Sequence, residues 1–131
     1  MSDWRQVYLI TPMGKPRMTR SDKWKTRPAV MRYRAFKDEC RLRKVVCEAG
    51  DSYIFIVPMP KSWSEKKKKL MDGEPHIQVP DLDNMLKALW DAVCLTDEHL
   101  WKICGAEKRW GRVGSIVVQR NVVDSLPPTT K

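Results

Sequence analysis

Residues 52–58 read Ser-Tyr-Ile-Phe-Ile-Val-Pro, a nearly unbroken run of aromatic and β-branched side chains. A half-exposed strand alternates apolar with polar residues, and this run does not. It therefore reads as an interior strand, with neighbours along both edges and cover over its faces. The remaining segments must supply that cover, which constrains the chain to a layered arrangement of strands and helices.

They do so in a mixed order. Residues 6–11 (Gln-Val-Tyr-Leu-Ile-Thr) have strand composition and stop at Pro12. Residues 12–29 read as a loop, broken by Pro12, Gly14, Pro16 and Pro28. Residues 30–48 read as a helix with Tyr33, Phe36, Cys40 and Cys47 near one face and Gly50 as its stop. Ser62 followed by Glu65 is a capping-box pattern opening a short helix through Met71, closed by the turn Asp72-Gly73. Residues 82–94 read as a helix with an apolar face of Leu82, Leu86, Leu89, Trp90 and Val93. Residues 100–109 and 115–123 read as two strands of a hairpin joined through Gly111 and Gly114. The fold class expected is α/β (α+β): one small domain over residues 1–123, a mixed sheet with helices packed on it. Residues 124–131, rich in Pro and Thr, are expected to form a loose tail.

The chain has 131 residues, 42% of them hydrophobic, enough for one self-sufficient core. Its net charge of +9 is concentrated early: residues 1–48 carry 13 Lys and Arg against 5 Asp and Glu. Lys15, Arg17, Arg20, Lys23 and Lys25 charge the loop, Arg34, Lys37, Arg41 and Lys44 form a stripe, and Lys66, Lys67, Lys68 and Lys69 follow one another. Such a field attracts phosphate polymers, although a charge run alone also serves as a solvated face. Cys40, Cys47, Cys94 and Cys104 have no C-x-x-C spacing and His76 and His99 complete no zinc pattern, so buried free thiols of a reducing cytoplasm are expected. No signal-peptide core or membrane-length apolar run is present, and a cytoplasmic protein without membrane partners is expected. Six tryptophans are many for this length. Trp90 and Trp101 are expected in the core, whereas Trp24 and Trp63, in basic loop-like context, are candidates for stacking on exposed bases.

Against this basic background stands an acidic island: Asp81, Asp83, Asp91, Asp97 and Glu98, with Lys87 among them. Pro80 cannot lie inside a helix, so Asp81 falls at the start of the following helix and Asp83 in its first turn. One Asp there is ordinarily a cap favoured by the helix dipole. Two Asp flanking one Leu, with a further pair at 97 and 98, exceed what capping needs. Carboxylates from two chain segments suit a hard divalent cation, which can polarise a phosphoryl oxygen and activate water. Lys87 lies one turn after Asp83, either as a rung of a surface ladder with Asp91 or as a charge offered to phosphate. Asp91 reads as structural. An EF-hand starting at Asp81 is excluded, because Leu86 and Ala92 stand where Gly and Glu are required. No Gly-rich phosphate loop is present, so no nucleotide cofactor is indicated.

Val79-Pro80-Asp81-Leu82-Asp83-Asn84-Met85-Leu86-Lys87, with Trp90-Asp91-Ala92-Val93 and Leu95-Thr96-Asp97-Glu98, resembles the RusA-type Holliday-junction resolvases. Pro60-Lys61-Ser62-Trp63, Pro75-His76 and Ala106-Glu107-Lys108-Arg109-Trp110-Gly111 extend the similarity over most of the chain. The resemblance implies a homodimeric, Mg2+-dependent endonuclease (Mn2+ substituting) that cuts four-way DNA junctions by paired symmetric incisions. It implies Asp81, Asp83 and Asp97 as metal ligands and Lys87 as the catalytic lysine, and a bacterial, phage or prophage setting. Two departures stand out: Val79 replaces a frequent Lys, and Thr96-Asp97 replaces a common Asp-Asp pair. A shift of one residue would bring Glu98 into the third-ligand position.

The leading expectation is thus a structure-selective DNA endonuclease, its basic segments holding phosphates without reading sequence. A non-catalytic nucleic-acid-binding module or regulator explains the charge but gives the acidic island no purpose. Another metal nuclease, acting on flaps or RNA, would share the site and differ only in substrate.

Overall fold

The computed structural model describes residues 4–17, 27–94 and 100–120. Its centre is the apolar run: β2 (Ser52–Pro58) is an interior strand of a four-stranded sheet. The sheet has the order β1-β4-β2-β3, with β1 spanning Trp4–Tyr8, β3 Gly105–Gly111 and β4 Ser115–Arg120. β4 runs antiparallel to both β1 and β2, while β3 runs parallel to β2. A parallel neighbour needs a crossover connection. Helices α2 (Glu65–Met71) and α3 (Leu82–Val93) lie within it.

With α1 (Pro28–Leu42) these three helices and one mixed sheet make a single small α+β domain, as expected. Tyr8, Tyr53, Phe55, Ile116 and Val118 of the sheet are buried with Tyr33, Phe36 and Cys40 of α1 and Met85, Leu86, Ala88, Leu89 and Ala92 of α3. Burial of this apolar surface is the main force assembling the layers. The buried face of α3 includes Met85, Ala88 and Ala92, whereas Leu82, Trp90 and Val93 sit partly buried at its margins.

Several elements differ from expectation for identifiable reasons. β1 ends at Tyr8 because Ile10 N–H donates to Tyr8 O at 2.8 Å, a tight turn that leads the chain off the strand. α1 begins two residues early because Pro28 stands in its first turn, where its missing N–H costs nothing. It also ends at Leu42, well before Gly50. Lys44 adopts φ 57°, Lys44 N–H donates to Arg41 O (3.1 Å) and Val45 N–H to Cys40 O (3.1 Å). This is a Schellman closure with lysine where glycine is usual. The α2 cap is Ser64, accepting from Lys67 N–H at 3.2 Å, and not Ser62, because Trp63 N–H turns back onto Pro60 O.

The expected hairpin is the largest correction. β3 and β4 do not pair, because β2 lies between them. Residues 112–114 must cross about two strand spacings, roughly 10 Å, which three extended residues just reach. The two flanking glycines make the crossing possible by close approach. A Cβ on Gly111 would stand 2.3 Å from Ile56 Cγ2, and one on Gly114 2.7 Å from Thr11 Oγ1.

Trp101 is 78% exposed, contrary to the core position expected. Backbone groups around it tether the segment: Gly50 N–H donates to Lys102 O and Cys104 N–H to Asp51 O, which leaves the indole outside. The four cysteines are free thiols, but Cys104 is exposed and only Cys40 is fully buried. Burial pushes the Cys40 and Cys47 thiols up to about 12, so both are inert at neutral pH. No helix among the described residues is long and apolar enough to cross a membrane. The tail at 124–131 and the basic positions Arg20, Lys23 and Lys25, with Trp24, lie outside the described residues.

Candidate active site

The acidic island is built at the start of α3. The Val79-Pro80 peptide is cis, and Lys108 of β3 donates through Nζ to the carbonyl oxygens of Gln78 and of Pro80, the latter at 2.6 Å. The turn preceding the helix is therefore tied to the sheet. Asp81 occupies the N-cap position with extended backbone (φ −68°, ψ 150°), and its carbonyl accepts from Asn84 N–H and Met85 N–H at 3.1 Å each. Its carboxylate makes no capping hydrogen bond. The ordinary explanation for an Asp at this position is thus absent.

Asp83, in the first turn, is exposed. Lys87 Nζ lies 3.9 Å from Asp83 Oδ2, one turn along. An exposed pair at this spacing contributes only about 0.3–0.5 kcal/mol, too little to account for the island. Leu82, between the two carboxylates, packs partly against the core, so both acids flank an anchored residue. Two carboxylates without cap bonds at a fixed helix start are a suitable donor set for a hard cation. Among the described residues no third His, Cys, Asp or Glu joins them. Asp97, and Glu98 beside it, lie outside the described residues.

Asp91 has different partners. It accepts from the hydroxyl of the buried Tyr33 and lies 3.5 Å from Lys15 Nζ. Partial burial pushes its carboxyl up, but the Tyr33 hydrogen bond and the Lys15 ammonium outweigh that and hold it below the ordinary range. Burial, with the Asp91 bond second, drives the Tyr33 phenol far upward, so it remains a donor. Asp91 is therefore structural, as its sequence context indicates.

The basic residues divide in the same way. Arg17 and Arg34 are exposed, as are Lys66, Lys67 and Lys69, while Lys68 is half-buried. Arg41 is committed: its Nε donates to Ala92 O at 2.8 Å, covering a carbonyl near the end of α3, and its guanidinium lies 3.8 Å from Asp38. Lys37 sits over the Tyr33 ring at 4.7 Å. Trp63, a candidate base-stacking residue, has Trp110 at 4.8 Å and Lys67 over its ring at 4.2 Å, so its faces are largely taken within the chain.

Four residues important here carried little signal in the sequence. Lys108, Tyr33 and Gly14 act only through long-range contacts, Gly14 by lying so close to the turn before α3 that a Cβ on it would stand 2.7 Å from Pro80 Cβ. Asn84 stood inside the acidic motif, where the carboxylates overshadowed it. Two surface concavities, of about 300 Å³ beside Arg41 and Ala92 and about 400 Å³ beside Pro12 and Phe36, contain neither Asp81 nor Asp83. Asp81 and Asp83 are both exposed, where a polymer can reach them.

A sequence model of the family Endodeoxyribonuclease RusA matches residues 9–118, from the end of β1 almost to the end of β4. The chain belongs to the RusA family. Membership implies an endodeoxyribonuclease that resolves Holliday junctions, and the matched span includes Asp81, Asp83, Lys87 and Asp97. No curated protein matches the chain.

Proposed function

We propose that this RusA-family protein is a Mg2+-dependent homodimeric endonuclease that cuts four-way DNA junctions by paired phosphodiester hydrolysis. The observation that carries the reading is Asp81: a carboxylate at a helix N-cap that makes no cap bond, beside the exposed Asp83. Asp81 and Asp83 hold the cation, with Asp97 as third ligand. A bound divalent cation neutralises charge at the scissile phosphate and activates water for attack; Mn2+ serves in its place. Lys87, one turn from Asp83, offers its ammonium to the charge that develops on the phosphate or its leaving oxygen. Exposed cations such as Arg17, Arg34 and the α2 lysines hold flanking phosphates and position the strand without selecting sequence. One site per subunit in a two-fold dimer matches the two-fold symmetry of a junction.

The test is cleavage of a synthetic four-way junction against linear duplex, with and without Mg2+. The junction is expected to be nicked much faster, and EDTA to stop cutting while binding persists. Asp83→Asn removes a ligand charge from an exposed position and is expected to lower the rate by about 100-fold or more, with binding and thermal midpoint close to wild type. Cutting retained by that variant would sink the mechanism. Equal cutting of linear DNA would move the substrate to another branched or flapped form, and a monomer in sedimentation would remove the two-fold argument.

A further inference from the structure

Residues 14–17 are held against α3 by contacts that capping, core packing and the acidic pair do not explain. Lys15 N–H donates to Asn84 O at 3.3 Å, and Asn84 Nδ2 donates to Lys15 O at 2.9 Å. The Lys15 ammonium continues along the helix to Asp91, 3.5 Å away, which also accepts from Tyr33. Arg17 O accepts from Arg27 Nη2 at 2.7 Å, fixing the next residues as well. The approach is close: a Cβ on Gly14 would stand 2.7 Å from Pro80 Cβ and 2.9 Å from Asn84 Nδ2. Only glycine fits without moving the turn that carries Asp81.

Helix geometry puts this contact beside the acidic pair. At about 100° per residue, Asn84 and Asp91 fall on one line of α3, and Lys87 lies between that line and Asp83. Lys15 thus runs alongside the Asp83–Lys87 line. Arg17, exposed, follows two residues later.

We propose that Asn84 is a positioning residue of the nuclease site. It clamps residues 14–17 to α3 so that Lys15 and Arg17 meet the phosphates flanking the scissile one at a fixed distance from Asp81 and Asp83. This rests on the nuclease reading above. Asn84 itself contacts neither cation nor substrate. Its side-chain nitrogen donates to Lys15 O, and its effect passes through the segment it holds.

The test compares Asn84→Ala, the charge-removal variant Lys15→Ala/Arg17→Ala, and the combination of all three, by single-turnover junction cleavage and junction affinity. Asn84→Ala leaves every charge in place, so affinity is expected to change less than about threefold while the cleavage rate falls on the order of 10- to 100-fold. Gly14→Ala, which forces the same segment away from the other side, is expected to give the same split. In the charge-removed background Asn84→Ala is expected to cost little more, because the cations it positions are gone. Equal cost in both backgrounds overturns the proposal and leaves Asn84 a stability residue. A shift in the Mg2+ concentration for half-maximal cleavage also overturns it, by placing Asn84 among the cation ligands. Hydrogen exchange at the Lys15 amide reads the clamp without any cleavage and is expected to accelerate in Asn84→Ala. Unchanged exchange shows that Asn84 does not hold the segment. A wild-type protein that cuts no junction overturns the nuclease reading and this role together, while exchange still reports whether the clamp exists.

Discussion

His76 is buried at 3% exposure, its ring lies 4.4 Å from Trp110, and its Nδ1 has no hydrogen-bond partner. Burial, with the neighbouring Lys108 charge second, holds its pKa below the ordinary value. As pH falls through about 6.5 the unfolded chain takes up a proton here that the folded chain refuses. Stability is therefore full at neutral pH and is lost between the ordinary pKa and the lower folded one, by at most about 1.4 kcal/mol per pH unit. His76→Phe keeps an aromatic ring on Trp110 and removes the titration. Its thermal midpoint is expected to fall less than that of wild type between pH 7 and pH 5, and parallel curves would contradict this assignment. Other single residues were legible only in part. Asp81, Asp83 and Lys87 announced themselves because carboxylates in a basic chain are anomalous and Pro80 fixes where the helix starts. Lys108 did not, since one lysine among many shows its role only when β3 is laid beside β2 and brings it to the Pro80 carbonyl.

Among the elements, those whose ends are written locally were readable, and those ended by geometry were not. α3 follows from Pro80 and an apolar period, and its observed span departs from the expected one by a single residue at its end. α1 carries no glycine at its true end. Lys44 instead takes the left-handed conformation, because the Schellman bonds and the burial of Val45 against the core outweigh the strain. That strain is about 1–2 kcal/mol for a residue with a Cβ, offset in part by the greater freedom of glycine in the unfolded chain. Lys44→Gly is therefore expected to stabilise the protein by about 0.5–1 kcal/mol, a rise of about 2–5 °C in thermal midpoint. No change, or a fall, would mean that Lys44 makes compensating contacts through its side chain. The connection between β3 and β4 failed for a related reason. Gly111 and Gly114 look like turn residues in sequence, but their missing side chains admit Ile56 and Thr11, a requirement visible only once β2 is known to lie between the strands.

At the scale of the whole molecule, the proposed function has the net charge of +9 and the acidic pair divide the labour of handling a phosphate polymer. Cations supply affinity by releasing counterions, and each phosphate contact contributes about 0.9 to the slope of log affinity against log salt on duplex DNA. That slope counts contacts in the assembled particle, not in the chain. Lys69 is exposed on α2, and Lys69→Ala removes one charge without touching the core. If α2 lies against a junction arm and the particle is a two-fold dimer, every substitution is made twice. The slope is then expected to fall by about 1.8, whereas a monomer bound to one arm would lose about 0.9. A symmetric junction offers equivalent arms to both subunits, so a fall of about 0.9 in a particle that sediments as a dimer would mean that only one α2 engages DNA at a time. An unchanged slope would remove α2 from the binding surface altogether and leave Arg17, Arg34 and their neighbours to carry it. Measured with protein inactivated for cutting by Asp83→Asn, the same titration keeps the junction whole, and it separates the number of subunits from the chemistry they perform.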